Sequence, residues 1–384
     1  MGKRHSERFF KNLERFGKRC LISLARWVFR LPTPSVLDTT KCHRILVVRQ
    51  DNRLGNLVLI EPFLRALRGG LPQAHVALVV AEKFAELYLP GVLVDEVIVF
   101  PHSRLAQNPL RLLAWLRAFR RRRWDLAIDS AHPRTVSATN LLLVACSAAR
   151  WRLGFTRDGS ERFFNLTVPA PSPGSYIEEQ LLLLRPLGIE ASISRPRLGL
   201  PAGHEILARK FRQALGLGEC ESVCGVWIGG RYDKRRDLSE FVRLYRHFED
   251  EQPRRFFPVL LSGPDEEVTI ERGVRHYRFT GPIWELAAAL KTLAWFLSMD
   301  SGPRHLAAAL DVPSIGLFRG GAQAEYGHAD GRNHFDFSVD HEPDLFSKVL
   351  LAVEIIHEKK TSESPNRIST AQNAEVEKDL KLAQ

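Results

Sequence analysis

From residue 44 onward, two hydrophobic patterns alternate along the chain. Short continuous runs of β-branched and aliphatic residues, such as Ile45-Leu46-Val47-Val48, give way to longer stretches with apolar residues every three or four positions, as from Leu57 to Leu67. The first pattern predicts strands buried on both faces and the second predicts helices covering them, an order that makes a parallel sheet. In the first half, strands are predicted at 44–48, 76–80, 96–100, 126–128 and 151–154, with helices at 57–67, 84–88, 111–121 and 137–146. After a polar, Pro-containing connection at 195–203 and a helix at 204–215, a second series begins. Its predicted strands are 223–228, 257–261, 277–279, 295–298 and, last, 314–318, with helices at 238–248, 267–273, 283–291 and 303–310. Residues 345–357 predict a closing helix, and 358–384, almost without large apolar residues, predict a disordered tail.

The expected fold class is therefore α/β, with two Rossmann-like doubly wound domains at 41–200 and 201–357 between an arm at 1–40 and the tail. A site is expected in a cleft where the carboxyl ends of the two sheets face one another.

The charge is unevenly spread. The net formal charge is +11, yet residues 1–44 hold eleven Lys or Arg against three acids, so the body is only mildly basic. Between Phe9 and Phe29 the apolar residues recur at three- and four-residue steps with Lys and Arg filling most other positions, which predicts an amphipathic cationic helix. Such a helix fits the headgroup layer of an anionic bilayer, or packs on the protein's own body with a solvated basic face; a nucleic-acid partner has only charge behind it and is not expected. No run approaches the roughly 20 apolar residues a membrane-spanning helix needs. Cys20 to Phe29 is broken by Arg26 and is followed by no small-residue cleavage site. Five sparse cysteines, with no second pair at zinc spacing beside Cys220 and Cys224, predict neither a disulfide framework nor a structural metal.

Three strand-to-helix loops carry candidate chemistry. The first, Arg49 to Asn56, holds Asp51 and places Gly55 where backbone amides can approach an anion at a helix start. The second, Gly229-Gly230-Arg231-Tyr232-Asp233-Lys234-Arg235-Arg236, sets glycines before a cation cluster, which suits a diphosphate with Lys234 on the leaving oxygens; a solvated loop with structural ion pairs fits the spacing equally well. The third runs Asp300-Ser301-Gly302-Pro303-Arg304-His305-Leu306-Ala307-Ala308-Ala309. Here Pro303 suits the first helical turn, the amides of Ser301 and Gly302 are expected at the helix N-terminus, and His305 reads as an orienting hydrogen-bond donor or as a plain core histidine.

Together these loops resemble glycosyltransferase family 9, the heptosyltransferase-like enzymes of lipopolysaccharide core synthesis. The similarity spans roughly residues 45–318 and includes Trp124-Asp125-Leu126-Ala127-Ile128-Asp129, Ser262-Gly263-Pro264-Asp265-Glu266 and Thr280-Gly281-Pro282, with Asp300-Ser301-Gly302-Pro303 and His305 as its most specific part. The resemblance implies a GT-B fold and inverting, metal-independent transfer, with the acceptor on the first domain and a nucleotide sugar on the second. The donor, ADP-heptose or another nucleotide sugar, is a substrate, so no cofactor is expected. The resemblance further implies Lys234 on the donor phosphates, Glu266 on the ribose hydroxyls, and Asp300 with Ser301 and Gly302 on the sugar and diphosphate. It also implies a lipid-linked saccharide acceptor at the cytoplasmic face of a Gram-negative inner membrane.

One position departs from the family pattern. Asn56 stands where the family has the Asp that deprotonates the acceptor hydroxyl, and an amide cannot take up that proton. Asp51 and Glu61 are the nearby carboxylates, and Asp51 is the expected replacement. The alternative is a sugar-nucleotide binder or scaffold that kept the donor loops and lost the base.

Overall fold

The computed structural model describes residues 37–88, 90–101, 108–157, 160–218, 222–229, 238–250, 256–264, 266, 269–340 and 344–362. The cationic segment Phe9 to Phe29, Gly230, Lys234 and the tail beyond Ser362 lie outside them. The chain divides into two compact units, the first ending at Pro201 and taking in Pro282–Trp284, the second comprising the remainder.

Unit 1 is built on a six-stranded sheet of β1 (Arg44–Val48), β2 (His75–Ala81), β3 (Glu96–Phe100), β4 (Leu126–Asp129), β5 (Trp151–Thr156) and β6 (Leu166–Pro169). The order is β3-β2-β1-β4-β5-β6, and every neighbouring pair is parallel. Ile45, Leu46, Val47 and Val48 are all fully buried, as a strand covered on both faces requires. Its helices are α1 (Leu54–Leu59), α2 (Glu61–Gly70), α3 (Pro109–Arg120), α4 (Ala138–Cys146) and α5 (Tyr176–Leu181). On one face Leu46, Val48, Ala77 and Val79 pack with Phe119, Leu141 and Val144 into a single core.

Unit 2 repeats the plan with β7 (Val223–Trp227), β8 (Phe257–Ser262), β9 (His276–Arg278), β10 (Leu293–Met299), β11 (Ser314–Phe318) and β12 (His334–Ser338). Its order, β12-β11-β10-β7-β8-β9, is the order of unit 1 when strands are counted from β7. Around it lie α6 (His204–Ala214), α7 (Leu238–Asp250), α8 (Ile283–Lys291), α9 (Gly302–Ala309), α10 (Ala322–Tyr326) and α11 (Leu345–Ser362). The fully buried Trp295 anchors this core, with Phe248 at 5.0 Å and Phe256 at 5.9 Å between ring centres.

The α/β class and the two parallel sheets match expectation; several elements do not. The expected helix at 57–67 is two helices, because Pro62 has no N–H to donate to the carbonyl of Val58 and the chain re-caps at Ile60. Residues 84–88 form no α-helix; only the 3-10 turn Glu82–Phe84 is present. Thr269–Gly273, within the helix expected at 267–273, is turn and coil. The strand at 314–318 is not the last: β12 adds an edge strand whose sequence, His-Phe-Asp-Phe-Ser, lacks the continuous apolar run of an interior strand. The edge strand β6 and the short helix α5 are likewise additions. The closing helix continues to Ser362, five residues past its expected end.

Candidate active site

In each sheet the strand order reverses between two adjacent central strands, β1 and β4 in unit 1 and β7 and β10 in unit 2. Loops leaving the carboxyl ends of such a pair diverge and open a crevice for ligands. All three candidate loops leave from these strands.

In unit 1, Arg49 follows β1 and is 1 % exposed; its guanidinium lies 5.6 Å from the Tyr176 ring centre and donates to the carbonyl of Ser130, which follows β4. This buried cation holds the two diverging loops together. It also donates to Oδ2 of Asp51 at 3.3 Å. Asn56, in the first turns of α1, donates from Nδ2 to the same Oδ2 at 2.5 Å. Asp51 therefore takes two donors on one oxygen, and its side chain remains 26 % exposed. Glu61 sits elsewhere. At 2 % exposure it accepts the backbone N–H of Arg197 at 2.9 Å and lies 3.4 Å from the Arg65 guanidinium, and burial raises its pKa above the ordinary glutamate value. Its carboxylate fastens α2 to the connection at 195–197.

A second buried network at this edge centres on Asp129, the end of the 124–129 motif, and its partners were not singled out from sequence. Asp129 ends β4 in an ion pair with Arg157 and accepts from Asn140 Nδ2 and the Ala131 N–H, each at 3.0 Å. Gln180, from α5, accepts from Ser130 Oγ at 2.9 Å and donates to the Ala131 carbonyl at 3.1 Å. Nothing in the spacing pairs Asp129 with Arg157, or α5 with the loop after β4.

In unit 2, Ser298, Trp227 and Leu261 are in register across three adjacent strands. Two residues further, Asp300, Gly229 and Gly263 leave the sheet side by side. Glu266 folds back over the two glycines, accepting the Gly263 N–H at 2.6 Å. A Cβ on Gly229 would stand 2.5 Å from Glu266 Oε1 and 2.7 Å from Trp227 Nε1, so any side chain there would displace Glu266 or the Trp227 ring. Gly230 and Lys234 continue the same loop outside the described residues. Ser301 caps α9 with extended backbone, its Oγ paired with Ser298 Oγ at 2.6 Å, and Gly302 and Pro303 form the first turn.

Asp300 is 8 % exposed, and its Oδ1 lies 3.4 Å from Nε2 of His305, one turn into α9. The other imidazole nitrogen of His305, Nδ1, meets Nε2 of His328 at 2.8 Å. His328 is 5 % exposed and its backbone N–H is fixed by Oδ2 of Asp336 at 2.6 Å. Asp336 also pairs with Arg304, which is fully buried and stacked 4.8 Å from the Phe318 ring centre; burial lowers the Arg304 pKa to about 9. Gly316 makes room for this guanidinium, since a Cβ there would collide with Arg304 Nε. His328 and Asp336 lie beyond the third loop and were not among the residues singled out from sequence; the latter is on the edge strand that hydrophobic pattern does not reveal.

Residues 228–337 match the profile of Glycosyltransferase family 9 (heptosyltransferase). Lipopolysaccharide heptosyltransferase 3 of Escherichia coli is 20 % identical over 294 residues, covering 69 % of this chain and 80 % of that protein. A family 9 glycosyl transferase from Veillonella parvula DSM 2008 superposes with a TM-score of 0.67 at 19 % identity, covering 84 % of this chain and 100 % of the other. The ADP-heptose lipopolysaccharide heptosyltransferase II of E. coli gives 0.64 at 16 % identity, covering 82 % and 99 %. These likenesses show the fold, which is GT-B.

Proposed function

We propose that this chain, a heptosyltransferase-like glycosyltransferase of family 9, transfers heptose from ADP-heptose to a lipid-linked saccharide of the lipopolysaccharide core. The observation that carries this reading is the shared exit of Asp300, Gly229 and Gly263 from three registered strands, with Glu266 folded across the glycines.

In this reading unit 2 takes the donor. Glu266 and Asp300 are acceptors for ribose and sugar hydroxyls, and Gly229, Gly230, Ser301 and Gly302 give the diphosphate close access to backbone. His305 orients Asp300. Lys234 stands on the diphosphate and neutralises the negative charge that grows there as the bond to the anomeric carbon breaks. Unit 1 takes the acceptor. The hydroxyl oxygen of the acceptor forms the new bond to the anomeric carbon from the side opposite the diphosphate, which leaves with the bonding electron pair; the hydroxyl proton passes to Asp51. Asn56 and Arg49 hold Asp51 in place, and Gly55 lets the backbone approach. No metal enters the step, and the inverted configuration follows from a single displacement. The arm at 1–40 holds the enzyme on the anionic cytoplasmic face of the inner membrane, where the acceptor lies.

A second reading, a donor-binding scaffold without turnover, draws on Asn56 and on the two donors already bound to Asp51 Oδ2. Calorimetry with ADP and a transfer assay with ADP-heptose and truncated core saccharides separate the two. Transfer abolished by Asp51→Asn supports the enzyme; ADP binding with no transfer to any core acceptor supports the scaffold; no nucleotide binding overturns both.

A further inference from the structure

Helix α3 presents an outward face that folding leaves in water. Its inner side is well packed: Phe119 is buried, stacked on Trp115 at 4.9 Å, and Trp115 meets the Phe100 ring edge-on at 5.2 Å. At 100° per residue, Leu110, Leu113, Ala114, Arg117 and Arg121 fall on the opposite side. Leu110 is 77 % exposed and Leu113 49 %. Residues 109–123 contain six arginines and no acid, and among the described residues Arg122 alone of these has a carboxylate partner, Glu96.

Two neighbouring exposed leucines gain nothing in water, and a run of like charges along one helix repels itself. Both features become favourable at an anionic bilayer, where leucines enter the acyl boundary and arginine stems follow while their guanidinium groups reach headgroup phosphates. Duplex nucleic acid would meet the cations and leave the leucines in water, and an acidic peptide would need an apolar groove that a single convex helix lacks. We propose that α3 lies in the plane of an anionic lipid surface, with Leu110 and Leu113 inserted and Arg117, Arg120 and Arg121 on the phosphates. The helix follows β3, so its leucine end is at the carboxyl edge of the first sheet, the edge that carries Asp51. A lipid-linked acceptor held there would be presented next to the bilayer. The purpose of the contact rests on the proposed function, but its test does not.

In the full chain with Cys20→Ser, Cys146→Ser and Cys220→Ser, a nitrobenzoxadiazole probe is attached at Leu113→Cys and mixed with vesicles of phosphatidylcholine, alone or with about a quarter phosphatidylglycerol. A blue shift and brightening with the anionic vesicles only is expected. In sedimentation with the same vesicles, the triple change of Arg117, Arg120 and Arg121 to Gln lowers partitioning, on the order of 100-fold if each arginine contributes independently. Leu110→Ser with Leu113→Ser lowers it about 10-fold. All these side chains are on the surface, so melting temperatures stay at the parent value and nucleotide binding by calorimetry is unchanged. A probe that does not respond while the chain sediments shows that another segment makes the contact and overturns the proposal. So does a response to duplex DNA in place of vesicles, or partitioning unaffected by the arginine and leucine changes. Loss of glycosyl transfer with vesicle binding intact would count against the proposed function alone.

Discussion

The imidazoles of His305 and His328 meet end to end at 2.8 Å, with the far nitrogen of His305 turned to the carboxylate of Asp300. One of the two facing nitrogens must donate and the other accept, so His328 decides which tautomer His305 presents. With Nε2–H of His305 directed at Asp300, His328 donates to Nδ1. Replacing His328 by Leu leaves a buried ring nitrogen without its partner, at a cost of about 1–3 kcal/mol. The expected result is a lower melting temperature together with weaker ADP binding by calorimetry. His328→Gln, whose amide can donate to the same nitrogen, restores part of the affinity. Affinity equal to the parent in both variants would remove His328 from the donor site.

Asp51 and Asn56 make a second test. Asp51→Asn removes the proposed proton acceptor and is expected to lower kcat by about 10²- to 10⁴-fold while ADP binding holds. Asn56→Asp is expected not to accelerate transfer. It replaces a donor at 2.5 Å with a second carboxylate, and two such groups in one place cannot both ionise easily. The acid limb of the pH–rate profile should move to higher pH. A rate well above the parent at neutral pH would show instead that Asn56 marks a missing base.

Gly316 tests the packing behind α9. A methyl group there displaces the Arg304 guanidinium from Asp336, and Asp336 also holds the His328 backbone. Breaking a buried ion pair in this way costs about 3–5 kcal/mol. Gly316→Ala is therefore expected to melt well below the parent in calorimetry, and a stable Gly316→Ala protein would contradict the close fit of Arg304.

Glu61 gives a pH prediction. Burial holds its carboxyl above the ordinary glutamate range, so the folded state keeps that proton longer than the unfolded chain does. Its contribution to stability is complete below the unfolded value and is lost as pH rises through the folded one. Glu61→Gln keeps an acceptor for the Arg197 N–H and has no proton to lose. The difference in melting temperature between variant and parent should shift in favour of the variant as pH rises above the ordinary glutamate range. A difference that does not change with pH would mean that burial does not raise the Glu61 carboxyl.

The sequence showed the interior of each sheet clearly, because parallel strands covered on both faces are nearly continuous apolar runs, as at Ile45 to Val48 and Trp295 to Ser298. It hid the edges. The short β6 ends in Pro169 and β12 alternates polar and aromatic residues, since one side of each has no strand to pair with. The loops with glycines and charges were visible as candidates, and Glu266 with Gly229, and Asp300 with His305, do come together. What periodicity could not supply were contacts closed by the fold over long separations. His328 lies 23 residues from His305, and Arg157 28 residues from Asp129. Such pairs leave no mark in local spacing.

The shared strand order has a consequence for biosynthesis. Every strand of the first sheet lies before Pro201, so once that residue has cleared the ribosome the sheet has all six strands and needs no partner strand from downstream. Domains generally fold as units, N-terminal first during translation. The nascent chain can thus settle its first half while the second is still being decoded, which shortens the time that its long valine and isoleucine runs spend exposed to neighbouring polypeptides.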